Sequence, residues 1–207
     1  MRGKFITLEG PDGSGKSTML NLVGQYLKEN GFDYIITREP GGTKIGEKIR
    51  DIIIDRDHEK MGAETEALLF AASRDQHVHE KIIPSIEEGK VVVCDRFLLS
   101  SLAYQGVGRG LGIDRVKMIN EFGLRGIVPD LILFFHVDPE VTLLRKTREG
   151  GDRLEEEGGA FHKVVYDGYM TLLKDYSENI VIIDSSKPID EVYAQTITAL
   201  KERLETK

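Results

Sequence analysis

The sequence predicts an α/β fold, an open and mostly five-stranded parallel sheet flanked by helices, on three observations. Short apolar runs recur along the chain: KFITLE (4–9), YIITRE (34–39), KVVVCD (90–95), LILFFHV (131–137) and NIVIID (179–184). They are rich in Val, Ile and Phe and nearly continuous rather than alternating, as strands buried on both faces of a parallel sheet should be. Segments of helical period separate them, so strand and helix alternate from end to end.

The first run leads into GPDGSGKS (10–17), after which Met19, Leu20, Val23, Tyr26 and Leu27 make one apolar stripe that Gly31 closes. The second ends in Arg38 and Glu39 and turns at Pro40-Gly41-Gly42, and the third ends in Asp95 and Arg96. Asp138 followed by Pro139 reads as an N-cap and first helical turn, and the tail as a helix from Pro188 to about Glu205. No linker or repeat interrupts the pattern, so residues 1–207 read as a single domain. REGGDRLEEEGG (148–159) departs from it, being polar, glycine-flanked and dense in charge. Such a run is either a solvated surface loop or a lid, here over about 146–159.

The chain of 207 residues is 40% hydrophobic and 30% charged, with a formal net charge of -7. That balance argues against non-specific binding to nucleic acid or a membrane surface, since both need an electropositive face. Small molecules or another protein are the expected partners. MRGKFITLEG reaches a glycine too soon for a signal sequence or a membrane span, so a cytoplasmic location is expected. The single cysteine, Cys94, agrees with a reducing compartment and reads as an inert buried thiol rather than a nucleophile. His77 and His79 diverge on a helix, and no zinc site is expected.

GPDGSGKS fits G-x-x-x-x-G-K-[ST] between a predicted strand and a predicted helix. In such a phosphate-binding loop Gly10, Gly13 and Gly15, with Pro11, Asp12 and Ser14 between them, let the backbone curl so that its N–H groups face phosphate oxygens. Lys16 adds a charge near the β and γ phosphates, Ser17 suits Mg²⁺, and Thr18 continues into the helix. A GTPase would need Asn-Lys-x-Asp, which does not occur, and a nucleic-acid motor would want a basic track. A small-molecule kinase remains.

In an open α/β sheet, ligands bind beyond the carboxyl ends of the strands. Those ends carry Glu9, Arg38 with Glu39, Asp95 with Arg96, and Asp138. A phosphate-monoester acceptor explains the acid–arginine pairs. Its oxygen is already ionised near neutral pH, the second pKa being about 6. Repulsion between the two phosphates is the obstacle, and arginine forks relieve it.

In order and spacing, the loop with LEG before it, TREPGG (37–42), LLFAASR (68–74), DRFLLSSLAYQG (95–106), PDL (129–131) and DRLE (152–155) resemble the thymidylate kinase (dTMP kinase) family of P-loop nucleoside monophosphate kinases. The resemblance covers nearly the whole chain and implies ATP- and Mg²⁺-dependent phosphorylation of dTMP to dTDP by a homodimer, the charge balance already weighing against nucleic acid or membrane as partner. It implies that Phe70 stacks on thymine and Arg74 bonds its edge, that Ser101 and Gln105 meet the base, and that Tyr104 crowds the 2′ position. Arg50 and Arg96 would hold the acceptor phosphate, with Arg38 and Glu39 shaping that pocket. Glu9 would face the sugar and metal region, and Asp95 the Mg²⁺ and the transferred group. Arg148 and Arg153 would supply the lid charge that some members place at the position of Gly13, and Arg145 would lie near the adenine.

Each residue has a plainer alternative. Phe70 could be core, but with Arg74 one turn on and the full motif around it base stacking is favoured; Tyr104 could be a packed ring with its hydroxyl on backbone; and Asp95-Arg96 could be a structural ion pair, yet burying one is costly and adjacent strand residues point in opposite directions, so a substrate role is favoured. Phe97 and Leu98 depart from the residues commoner in the DRY segment and touch no expected phosphate contact. Apolar residues around Ala67 to Ala72 and Leu102 to Met118 are the candidate dimer surface, and core packing explains them equally well.

Overall fold

A computed structural model describes residues 2–138, 141, 153–154, 157–175 and 179–205. Its strands are β1 (Lys4–Glu9), β2 (Tyr34–Arg38), β3 (Val91–Asp95), β4 (Leu131–His136) and β5 (Ile180–Asp184), each within a residue of its apolar run. They form one parallel sheet in the order β2-β3-β1-β4-β5. The helices are α1 (Lys16–Glu29), α2 (Lys44–Ile54), α3 (Ala63–His77), α4 (Ile83–Glu87), α5 (Leu98–Ser101), α6 (Ile113–Leu124), α7 (Gly159–Asp175) and α8 (Ile189–Glu205). Pro139, Arg145 and Arg148 lie outside the described residues.

Successive side chains of a strand point to opposite faces, and both faces of the three central strands are covered, whereas at the edges Ile36 of β2 and Ile182 of β5 are exposed. On one, Ile6, Leu8, Val91, Val93, Leu131, Leu133 and Phe135 pack against Met19, Val23 and Leu27 of α1 and Val192, Ile197 and Leu200 of α8. On the other, Phe5, Val92 and Cys94 meet Val78, Ile82, Ile86 and Phe97. Phe134 there meets Leu99, Leu102, Tyr169 and Leu172. Each such side chain contributes about 1.5–3 kcal/mol of burial, and two buried faces are why the runs of β1, β3 and β4 are continuous; the runs of the edge strands β2 and β5 are equally apolar but only partly buried, because an edge has a neighbour on one side only. Gly31 ends α1 as expected: its φ is 75°, and Phe32 N–H bonds back to Leu27 carbonyl at 3.0 Å.

Two wider π-type helical segments, Val78–Ile82 after α3 and Leu102–Gly108 after α5, are additions that no residue pattern announces. The second carries Tyr104 and Gln105, and such irregular turns recur at functional sites. The candidate dimer surface divides. Ala67, Ala71, Leu102 and Ala103 are buried, whereas Leu68 on α3 and Met118 on α6 are exposed; Phe122, one turn beyond the candidate range, is exposed by 87%. No helix among the described residues is long and apolar enough to cross a membrane.

In register, Leu8 of β1, Asp95 of β3 and Arg38 of β2 stand side by side, with Glu9 level with Phe134 of β4. The loops leaving β1, β2 and β3 therefore rise from one edge of the sheet.

Candidate active site

The loop 10–17 leaves β1 against its neighbour β4. Gly10 has φ 137°, and a Cβ there would lie 2.6 Å from the Phe135 carbonyl oxygen, so only glycine passes. Gly15 caps α1 without a side-chain bond, and the first helical turn holds no acidic residue. The orphan N–H groups at such a helix start are suited to an anion. Ser17 and Thr18 are exposed on that turn. Lys16 Nζ donates to the carbonyls of Gly10 (2.9 Å) and Pro11 (2.7 Å) and reaches Ser14 Oγ at 3.4 Å. Burial, then the nearby Arg96 charge, push its pKa down to about 8.

Beyond β3, Arg96 has φ 66°, a left-handed conformation that costs a non-glycine residue energy and clusters at functional sites. Its Nη2 donates to Asp12 Oδ1 at 2.5 Å, and its Nη1 to Ser100 Oγ (3.0 Å) and the Gly10 carbonyl (3.2 Å). Tyr104 places its ring 5.2 Å from the guanidinium and donates its hydroxyl to Asp12 Oδ2 at 2.7 Å. The Tyr104 hydroxyl is thus held by a carboxylate, not by backbone, and Arg96 pairs with Asp12 of the loop. Burial works against the Arg96 charge, and Tyr104, Asp12, Tyr169 and Asp95 outweigh it, holding its pKa high.

Glu9 lies beneath this turn. Its Oε1 accepts the Phe97 N–H at 2.9 Å and its Oε2 the Ser100 hydroxyl at 2.5 Å, and burial pushes its carboxyl above the ordinary range. Asp95 differs: its Oδ1 is buried with no hydrogen-bond partner among the described residues. A carboxylate oxygen without a partner at the strand end and a serine exposed in the first turn of α1 are the kinds of oxygen ligand taken by Mg²⁺, which needs few from the protein and completes its shell with phosphate and water.

At the end of β2, Arg38 Nη1 and Arg50 Nη1 both point at the Pro40 carbonyl, at 2.6 and 3.3 Å. Glu47 braces the turn, taking Arg38 Nη2 and the Gly42 N–H, each at 2.7 Å. Glu39 goes elsewhere: it is buried, with Oε2 2.7 Å from Arg74 Nε and Oε1 2.9 Å from His77 Nδ1, and His77 Nε2 meets Thr37 Oγ1 at 2.7 Å.

Glu66, Phe70 and Arg74 share one face of α3, four residues apart. Arg74 is fully buried; beyond Glu39 it donates to Asn120 Oδ1, the Phe97 carbonyl (3.0 Å) and Ser101 Oγ (2.9 Å). A guanidinium has five N–H donors, so one on Nη1 remains among these partners. Phe70 is half-buried and belongs to none of the three buried apolar clusters. Gln105 faces Glu66, donating Nε2 to its Oε1 at 3.0 Å, while Gln105 Oε1 is buried and without a partner among the described residues.

Arg153 does not lie over the phosphate-binding loop. Its Nε donates to the Ile53 carbonyl at 2.8 Å and its Nη2 to Glu66 Oε2 at 2.7 Å. The structure thus brings together Gly10, Asp12, Lys16, Glu9, Asp95, Arg96 and Tyr104 in one group, and Glu39, Arg74 and Ser101 in a second, joined through Phe97. Arg38 and Arg50 share a third point, and Gln105 and Arg153 meet at Glu66. Sequence reasoning misses Glu66, His77, Asn120 and Tyr169. Only Glu66 leaves a signal, one helical turn before Phe70.

A parallel sheet whose central strand runs into a glycine loop, a lysine and an uncapped helix, with arginines at the next two strand ends, defines a P-loop kinase of the nucleoside monophosphate type. Comparison with known proteins narrows this. The family model described as "Thymidylate kinase" matches residues 8–196. The thymidylate kinase of Finegoldia magna (strain ATCC 29328 / DSM 20472 / WAL 2508) is 58% identical over 96% of this chain and 98% of its own length. Those of Geobacillus sp. (strain WCH70) and Clostridium novyi (strain NT) are 50% and 51% identical, over 99% and 97% of this chain and 99% of each relative. The chain belongs to the thymidylate kinase family and is an enzyme of that kind.

Proposed function

We propose that the enzyme transfers the γ-phosphoryl group of ATP in line to the phosphate of dTMP, giving dTDP and ADP. The observation that carries this reading is Arg96, which reaches the donor loop at Gly10 and Asp12 while standing at the strand end beside Asp95. One cation placed there can screen both phosphates as they approach. Arg38 and Arg50 would add charge on the acceptor side, and Lys16, released from the Gly10 and Pro11 carbonyls, would follow the donor phosphates. Because the acceptor oxygen is already ionised, no side chain need remove a proton. Asp95 and Ser17 would hold Mg²⁺, which when bound draws charge from the phosphate oxygens.

On the acceptor side, Phe70 would stack on the thymine ring, the remaining Nη1 proton of Arg74 would meet its O4, and Gln105 would meet N3. Ser101 would act by holding Arg74, and Tyr104 by crowding the 2′ position. Glu9 would set the Phe97–Ser100 turn on which Arg96 rests. Arg153 would reach the transferred phosphoryl group only after leaving Glu66, with Arg148 as its companion, and Arg145 would border the adenine. Leu68, Met118 and Phe122 are the apolar residues a homodimer would cover, and a cytoplasmic location fits this chemistry.

The test is a steady-state panel of dTMP, dUMP, UMP and CMP with ATP, following ADP release. Acceptor-dependent release with dTMP as best substrate is expected; release that ignores the acceptor would reduce the protein to a nucleotide hydrolase.

A further inference from the structure

The buried carboxylate of Glu66 does more than hold Arg153. Its Oε1 accepts from Gln105 Nε2 (3.0 Å) and Arg109 Nε (3.1 Å), and its Oε2 from Arg109 Nη2 (3.1 Å) and Arg153 Nη2 (2.7 Å). Burial raises its pKa, but the bonds from Arg109, Gln105 and Arg153 outweigh this and keep it below the ordinary carboxylate value. Glu66 is therefore ionised at neutral pH and can only accept.

An amide side chain can be turned either way, with its NH₂ and its C=O exchanged. Against an acceptor-only neighbour one orientation is allowed: NH₂ to Glu66, C=O away from it. The carbonyl so placed is Gln105 Oε1, buried and unpartnered among the described residues, a situation that is costly unless a ligand donates to it. It belongs to the layer that also holds Phe70 and Arg74, since Glu66, Phe70 and Arg74 lie on one face of α3 and Ser101 and Gln105 lie opposite.

We propose that Glu66 is a specificity-determining positioning residue: by fixing the Gln105 amide it presents a hydrogen-bond acceptor to N3 of the base, admitting 4-oxopyrimidines and rejecting 4-aminopyrimidines. Thymine and uracil carry N3–H and donate to that carbonyl. Cytosine carries a lone pair at N3, which would face the carbonyl oxygen with no proton between them. The proposal rests on the reading that the acceptor base lies between Phe70 and Gln105, and it adds the residue that dictates which edge is read. Arg74, a donor facing the 4-position, makes a second and independent demand for an oxo group, so the effect of Glu66 is partial.

The test measures kcat/KM for dTMP and for dCMP, with ATP. Glu66→Gln frees the Gln105 amide to turn, and the dTMP:dCMP ratio should fall about tenfold, with kcat/KM for dCMP rising. Gln105→Leu should lower the ratio similarly by loss on dTMP, and adding Glu66→Gln to it should lower the ratio no further. The exchanged pair E66Q/Q105E keeps the buried charge and again offers an acceptor to N3, so it should hold the ratio within about threefold of wild type. That variant decides the matter if Glu66→Gln alone does not fold. Equal losses on both nucleotides in Glu66→Gln, an unchanged ratio in Gln105→Leu, or a collapsed ratio in the exchanged pair would each overturn the proposal while dTMP remained the preferred acceptor. A wild-type enzyme preferring another acceptor would overturn the functional reading, and this inference with it.

Discussion

Arg96 Nη2 lies 2.5 Å from Asp12 Oδ1, fastening the end of β3 to the loop that leaves β1. Removing the guanidinium should harm both sides of the reaction. Arg96→Ala is expected to lower kcat/KM for dTMP by about 100-fold or more, through both kcat and KM. Steady-state kinetics would return Arg96 to a structural role if only the KM for ATP changed.

Lys16 predicts a pH dependence of nucleotide binding. In the free enzyme it is half-protonated near pH 8. Phosphate oxygens favour the charged form and raise that pKa, so binding takes up a proton and weakens as pH rises through 8. Calorimetry at pH 8 in buffers of different ionisation heat should show uptake of about half a proton per ATP from this group. No dependence on buffer heat would mean that Lys16 is fully charged before ATP arrives.

Phe70→Ala should raise the KM for dTMP about tenfold, base stacking on an aromatic ring being worth about 1–3 kcal/mol. Because Phe70 lies outside the buried clusters, the thermal midpoint and the KM for ATP should barely move. A large loss of stability would assign the ring to the core.

Arg153→Ala should lower kcat at least about tenfold with little change in the KM for dTMP, if the side chain leaves Glu66 to act in the transition state. Its ground-state bonds to Ile53 and Glu66 add about 1–2 kcal/mol of stability, so the melting temperature should also fall by a few degrees. Lost stability with unchanged kcat would leave Arg153 as an anchor only.

Glu39→Ala strands the Arg74 charge in the interior. With both side chains of the pair almost wholly buried, it should cost about 3–5 kcal/mol in denaturant titration. A cost below about 1 kcal/mol would mean that Asn120 and Ser101 suffice to hold Arg74.

What can be read from residues alone follows from how local each constraint is. The three central strands are legible because burial on two faces writes an unbroken apolar run, and the loop 10–17 because a tight backbone course demands glycine at set positions. The Phe70–Arg74 face is legible as a helical repeat. The Asp12–Arg96 bond is not, since its partners are 84 residues apart and either could have met another charge. Nor is the resting place of Arg153, whose sequence neighbourhood advertises exposed charge while its guanidinium docks on a buried carboxylate. The residues around Gln105 are legible as a motif, but the π-type geometry they adopt is not, and its consequence, an amide brought against α3, appears only in three dimensions.

Cys94 sits in the middle of this scaffold, wholly enclosed, with its thiol pKa driven upward by burial and by the carboxylates of Glu39, Asp95 and Glu9. Its Sγ lies 3.1 Å from the Arg96 carbonyl. As the chain's lone sulfhydryl it is a built-in stopwatch: a disulfide dye can reach it only when the sheet comes apart. Nucleotides that clasp the rims of neighbouring strands should lengthen the time it takes to colour.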